Sequence, residues 1–255
     1  MHARIAGLVP GVMIPGVMTM ALLAGASLNA NAAETQPATT QRWQVVNANE
    51  IKVGHALVTR TVSGTSIVDS ERVEIRLGKT GRRARYRLHF EVESAPDGSL
   101  RRMLREVETS EGHSRVEAVV AGDDLEVSHG LGKAKSTQRI ADAARGLKSD
   151  EWAREWLAAV GRGDAREPLK YRSWDTAKLE PVTVELTAVP ADTTANVERR
   201  VYSTRGTTGS RLRVDEHGNV VHEIMMLGSF ELTRSDATQA EAQTEDQVFD
   251  HIAPM

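Results

Sequence analysis

A chain of 255 residues without a single cysteine cannot hold a disulfide, a thiolate-bound zinc or a cysteine nucleophile. Its 32 basic and 35 acidic residues leave a net charge of −3, which argues against nucleic acid as a bulk partner. Aromatic residues make up only 4% of the chain, so a core must rest on valine, leucine, isoleucine and alanine.

Residues 1–32 read as a cleavable export signal. Arg4 supplies the positive region, no other charged residue occurs before Glu34, and Ala30-Asn31-Ala32 fits the small-x-small cleavage rule. A membrane anchor is the competing reading, but two prolines and several glycines interrupt the apolar stretch and no basic stop-transfer cluster follows it. The expectation is a mature protein starting near Ala33, exported to the periplasm, with no transmembrane segment. Residues 33–41, including ETQPATTQ, are polar and lack periodicity, so they read as a disordered lead-in.

Residues 42–234 read as a single antiparallel β domain. Turn chemistry at Asn47-Ala48-Asn49 separates Arg42–Val46 from Ile51–His55. The clearest strand is RRARYRLHFEVES. Ala84, Tyr86, Leu88, Phe90 and Val92 share one face, and Arg83, Arg85, Arg87, His89, Glu91 and Glu93 the other. Upstream, Val73, Ile75 and Leu77 alternate with Arg72, Glu74 and Arg76, and Gly78-Lys79-Thr80-Gly81 reads as the hairpin turn. After Pro96-Asp97-Gly98 comes a strand over about 100–109, then Val116–Val120, a Gly122-Asp123-Asp124 turn and Leu125–Val127. Without helical crossovers, a parallel α/β sheet is excluded.

The segment RIADAARGLKS reads equally as helix or loop. A helix is expected at about 149–160, with Ser149 as its cap, Asp150 and Glu151 in the first turn and Gly161 or Gly163 closing it. Its Trp152, Trp156 and Ala159 lie on one face, either anchoring the helix to the sheet or stacking on a ligand. Strands follow at 169–174, 182–188, 197–205, 211–215 and 220–233, and 235–255 form a polar tail, either a linker or a frayed helix.

The stretch VVHEIMML spells His-Glu-x-x-Met, close to the zinc-peptidase pattern. It follows the Asp215-Glu216-His217-Gly218-Asn219 turn, so it sits on the return strand of a hairpin, with Val220, Ile224, Met226, Phe230 and Leu232 at even spacing on one face. On a strand, positions four apart lie about 13 Å from each other, too far to share an ion bound at about 2 Å. No metal site is expected. His222 shares the even face and is a candidate for the mouth of a ligand cavity, together with Met226. Asp215, His217 and Asn219 resemble calcium ligands only superficially, because the loop lacks the length and acidic end of an EF-hand.

Arg82, Arg83, Arg85, Arg87, Arg101, Arg102 and Arg105 form the densest basic patch. Arg85 and Arg87 are candidates for capturing an anionic group; the competing reading is cross-strand pairing with Glu71, Glu74, Glu91 and Glu93. No Gly-x-Ser-x-Gly elbow and no phosphate-cradling loop is present.

Glu50–His55, Arg85-Tyr86-Arg87-Leu88, Glu180–Val184 and LRVDEHGNVVHEIMMLGSFELTRSDATQAEA, in that order, resemble the β-rich segment that precedes the catalytic domain in secreted bacterial transglutaminase-like proteins, and free-standing exported β proteins of unassigned function. The catalytic Cys, His and Asp of that family belong to a following domain and have no counterpart here. The resemblance implies an accessory module without an active site or cofactor. The expected fold is mainly β, a long twisted antiparallel sheet curling into a half-barrel with one packed α-helix. Its expected task is non-catalytic protein interaction or scaffolding with an envelope partner, such as a transglutaminase-like protein or peptidase. The alternative is a periplasmic carrier holding a lipid or other hydrophobic ligand.

Overall fold

The computed structural model describes residues 37–79, 82–132, 134–164, 166–189, 200–205, 208–227 and 230–244. The expected signal segment, the start of the lead-in and the end of the polar tail lie outside them. The first eight strands are β1 Ala38–Ala48, β2 Ile51–Val62, β3 Ile67–Lys79, β4 Arg82–Ser94, β5 Leu100–Thr109, β6 Gly112–Ala121, β7 Asp124–Leu131 and β8 Ala134–Ile140. After the helical segment come β9 Leu169–Asp175, β10 Glu180–Val189, β11 Arg200–Arg205, β12 Thr208–Val214, β13 Val220–Leu227 and β14 Phe230–Ala237.

These strands form one antiparallel sheet in the order β8-β7-β6-β5-β4-β3-β2-β1-β14-β13-β12-β11-β10-β9. Every neighbour but one is a sequential hairpin. The exception joins the first strand to the last, with Trp43 opposite Ala237 and Ala48 opposite Leu232. That joint turns two meanders into one sheet.

The start of β1 departs from the sequence reading. Residues 38–41 were expected in the disordered lead-in, yet they are the first residues of β1, paired with Thr59–Val62 of β2, and Thr39 Oγ1 lies 3.1 Å from Thr61 Oγ1. Polar threonines take a strand when a partner supplies the ladder. The β1–β2 turn also moves, to Asn49-Glu50, both in the left-handed region with φ of 45° and 69°, the geometry of a tight hairpin. At the other end β14 runs past 234, and helix α2 (Gln239–Gln243) follows, started by a Thr238/Glu241 capping box.

The helix stands where expected, with altered geometry at its start. Ser149 Oγ accepts from Glu151 N at 3.3 Å, Asp150–Ala153 form a 3₁₀ turn, and α1 proper spans Arg154–Arg162, closed by Gly163 at φ 97°. The tighter 3₁₀ winding puts Trp152 out of line with Trp156. Trp152 is 44% exposed, whereas Trp156 packs partly against the core. Ala153, Leu157 and Val160 face the sheet and bury against Tyr171, Val184, Leu186, Val201, Leu212 and Val214.

The segment 141–149 is neither helix nor free loop: it links the two ends of the sheet. Leu147 bridges Arg172 of β9 and Lys148 bridges Ser99 just before β5. Fully buried Trp174 of β9 packs with Leu100, Leu125 and Val127 from the opposite limb. The sheet therefore curls on itself without β8 and β9 pairing, and the mainly β half-barrel expected from the sequence is the fold observed.

Two glycines seat α1 inside it. A side chain at Gly218 (φ 77°) would come within 2.5 Å of Arg154 O. One at Gly161 would fall on the carbonyl group of Asp215. The Asp215–Asn219 turn is thus the bed of the helix. Asp215 carboxylate oxygens accept from His217 N at 2.9 Å, Asn219 N at 2.8 Å and Asn219 Nδ2 at 2.7 Å, so they are already engaged.

Candidate functional site

Beneath α1 the concave face leaves a chamber of about 540 Å³. Its chemistry follows from strand phase. In β3, Val73 and Ile75 point inward and pack in an apolar cluster with Val46, Val53 and Ala56. Continuing the same alternation, Glu71 and Asp69 also point inward, and they line the chamber. The other strands change in the same way: Val46 gives way to Gln44 and Arg42 in β1, Val58 to Arg60 in β2, Met225 to Glu223 in β13, and Leu232 to Arg234 in β14. One end of the half-barrel is filled by aliphatic side chains and the other is walled with charge.

These charges are knitted together. Arg60 Nη1 lies 3.1 Å from both carboxylate oxygens of Asp69 and 2.6 Å from Glu151 Oε2, tying the sheet to the 3₁₀ turn. Arg234 pairs with Glu71, donates to Gln44 Oε1 at 2.9 Å and has Glu223 at 3.6 Å. Arg42 and Gln44 reach Asp236 at 3.1 and 3.0 Å. Arg205 and the Tyr171 hydroxyl both donate to Asp150 Oδ1, at 2.9 and 2.6 Å.

Burial leaves its mark on these groups. It raises the Asp69 carboxyl above its ordinary value despite Arg60, and raises that of Glu223 despite Arg234. The Tyr171 hydroxyl is pushed up by burial and by the charge of Asp150, so it stays a donor. Burial also lowers the Arg154 guanidinium, with Arg60 and Arg42 repelling it further.

One atom of a lining residue, Arg234 Nε, is buried without a hydrogen-bond partner among the described residues, whereas Glu151 Oε2 is held by Arg60 Nη1 at 2.6 Å. Leaving such an atom unpaired costs about 1–3 kcal/mol.

The residues singled out from sequence lie elsewhere. His222 was placed at a cavity mouth; instead its Nδ1 lies 2.6 Å from Ser235 Oγ on the face of β13 opposite Glu223. The cause is a register shift between Arg213 and Val214, which pairs Val214 with Val220 and Arg213 with His222. Val220 and Glu223 therefore turn inward, and His222 and Ile224 do not share Val220's face. Met226 pairs with Glu231 in the ladder, and its side chain lies outside the described residues.

The adjacent His222 and Glu223 point to opposite faces, and among the described residues no cluster of three metal-ligating side chains occurs. Trp152 sits outside the chamber with Lys148 Nζ 4.6 Å over its ring, and Trp156 Nε1 donates to Glu167 O at 2.9 Å. Arg85 and Arg87 lie on the outer face of β4. Arg85 pairs with Glu74, and Arg87 with Glu74 at 3.6 Å and Glu108 at 3.3 Å. They belong to a ladder of cross-strand ion pairs that continues through Arg102–Glu117 and Arg115–Glu106, both at 2.6 Å.

That outer face also carries a relay that sequence reasoning missed, because its members come from three strands. His89 Nε2 lies 3.3 Å from Ser70 Oγ and His89 Nδ1 lies 3.1 Å from Glu106 Oε2. The spacing is that of a serine–histidine–carboxylate triad, but the setting is not. Ser70 is in the middle of β3, which is paired on both sides, so the neighbouring N–H groups are spent in the ladder and none is left for an oxyanion.

No known protein family matches the sequence, and no curated protein matches it. Among solved structures, the β-barrel-like protein of a domain of unknown function, DUF1849, from Brucella abortus superposes with a TM-score of 0.54 at 12% identity. It covers 79% of this chain and 95% of that one. A DUF1089 family protein from Pseudomonas aeruginosa gives a TM-score of 0.37 at 16% identity, over 65% and 87% of the two chains. The first likeness defines the class of this molecule as a β-barrel-like domain. Neither bears on the resemblance to transglutaminase-like proteins.

Proposed function

We propose that the chain is an exported, non-catalytic binding domain that works in the periplasm and takes up a small polar ligand in the chamber under α1. The observation that carries this reading is the chamber wall itself, with guanidinium and carboxylate groups converging on about 540 Å³. The volume suits a small molecule. The same wall speaks against an acyl carrier, since methylene groups laid against buried charges would strip their remaining hydration without replacing it. The aliphatic end of the half-barrel is occupied by the protein's own side chains.

A second reading, docking of an envelope protein, is favoured by β8. This edge strand has β7 as its neighbour in the sheet, and its residues are exposed from Ala134 to Arg139, the arrangement that strand addition uses. A transglutaminase-like or peptidase partner rests on the sequence resemblance alone.

Native mass spectrometry of protein recovered from the periplasm tests the first reading. The wild type is expected to retain a small polar solute, and Ser203→Phe, which fills the chamber from β11, is expected to release it while keeping the wild-type circular dichroism. A retained acyl lipid, or retention indifferent to Ser203→Phe, would overturn it.

A further inference from the structure

The chamber's guanidinium groups are not equivalent. Arg60 and Arg234 are held by buried or half-buried carboxylates, Arg205 by the exposed Asp150 and Arg42 by Asp236. Among the described residues the Arg154 side chain has one hydrogen bond, from Nη2 to the neutral Asn219 Oδ1 at 2.8 Å. Among the described residues no carboxylate stands within ion-pair distance of it, although Asp69 and Glu151 act on it from further away.

Arg154 also occupies a particular place. It lines both the chamber and the shallow depression outside it that Trp152, Glu155 and His217 border, so it stands where the two meet. Arg42 approaches the same spot, its Nη1 donating to Val220 O at 3.1 Å, next to the Asn219 that Arg154 holds. Two like charges face one turn, and among the described residues one of them has no carboxylate within ion-pair distance.

We infer that the ligand is a hydroxylated carboxylic acid of about monosaccharide size, whose carboxylate docks on Arg154 beside Arg42 while its hydroxyls reach Asp69 and Glu223. The inference rests on the chamber reading and assigns the class of its occupant. A carboxylate matches the planar fork of arginine and relieves the repulsion between the two guanidinium groups. A dianion such as phosphate would lie too near Glu71, Asp69 and Glu223. A neutral sugar would leave Arg154 uncompensated, whereas hydroxyl donors satisfy inward-facing carboxylates.

Isothermal titration with D-glucuronate, D-glucose and inorganic phosphate tests it. Glucuronate is expected to bind at least about tenfold more tightly than either of the others. Arg154→Gln should weaken it by about tenfold or more and Arg154→Lys by less, as for loss of a charge-assisted bond. Arg85→Gln, on the outer face, should leave affinity unchanged. Equal binding of glucose, tighter binding of phosphate, or indifference to Arg154→Gln would overturn the carboxylate anchor. If Ser203→Phe still abolished that binding, the chamber reading would stand without it. Binding by none of the three probes would also sink the inference, leaving the chamber reading to the native mass spectrum.

Discussion

Replacing Gly161 by alanine sets two well-defined energies against each other. In a helix interior alanine is favoured over glycine by about 0.8–1.0 kcal/mol, so a helix lying free on the sheet would gain stability. In this structure the new Cβ would lie 2.5 Å from the carbonyl carbon of Asp215 and 3.0 Å from Glu216 N, with the carbonyl oxygen closer still. The obstacle is backbone, and the turn that carries it is braced by the Asp215 hydrogen bonds, so it cannot swing aside as a side chain would. Overpacking of this kind costs about 1–3 kcal/mol. With a rigid obstacle the upper half of that range applies, and the net expectation is a loss of roughly 1–2 kcal/mol once the propensity gain is subtracted. Urea denaturation read by far-ultraviolet circular dichroism measures it, as a lower midpoint at an unchanged slope. The Arg154–Asn219 bond spans the same contact, so the variant should also bind glucuronate more weakly. A stabilisation of about 1 kcal/mol would refute the docking of α1 on the Asp215–Asn219 turn.

Glu223 gives a pH-dependent test. Because burial holds its carboxyl above the ordinary glutamate value of 4.5, the native state keeps this proton more readily than the unfolded chain. Ionisation therefore costs stability as pH rises through the raised value, and the cost is absent below 4.5. Glu223→Gln is neutral throughout, so its stability relative to the wild type should climb between acidic and neutral pH in urea melts; a flat difference would contradict the buried placement. At Ser70, a fluorophosphonate reagent is expected to leave the protein unlabelled for want of oxyanion donors. Labelling that disappears in Ser70→Ala would show the outer-face relay to be a working nucleophile.

The period-two patterns of β3 and β4 were legible in the chain, because side chains on a strand alternate whatever lies around them. So were the turns at Pro96-Asp97-Gly98 and Asp215–Asn219 and the helix beginning at Ser149. The chamber left a trace too. Asp69 and Glu71 keep the phase of Val73 and Ile75, so a strand whose inward positions pass from aliphatic to charged marks a polar interior. That trace is visible once each face is followed to its end rather than scored as uniformly wet or dry. His222 was misplaced for a different reason. Counting even positions assumes an unbroken ladder, and a register shift next to His222 in its own hairpin reverses which side chain turns inward.

Composition and alternation, which are local, thus determined that the described chain forms antiparallel ribbons and one amphipathic helix. They could not determine which ribbons meet. The pairing of β1 with β14, the bridge from β5 to β9 through residues 147 and 148, and the convergence of Arg42, Arg60, Arg154 and Arg234 join positions more than a hundred residues apart in some cases. Each of those contacts is worth little alone and forms only when the sheet has curled. That is why the site belongs to the tertiary structure.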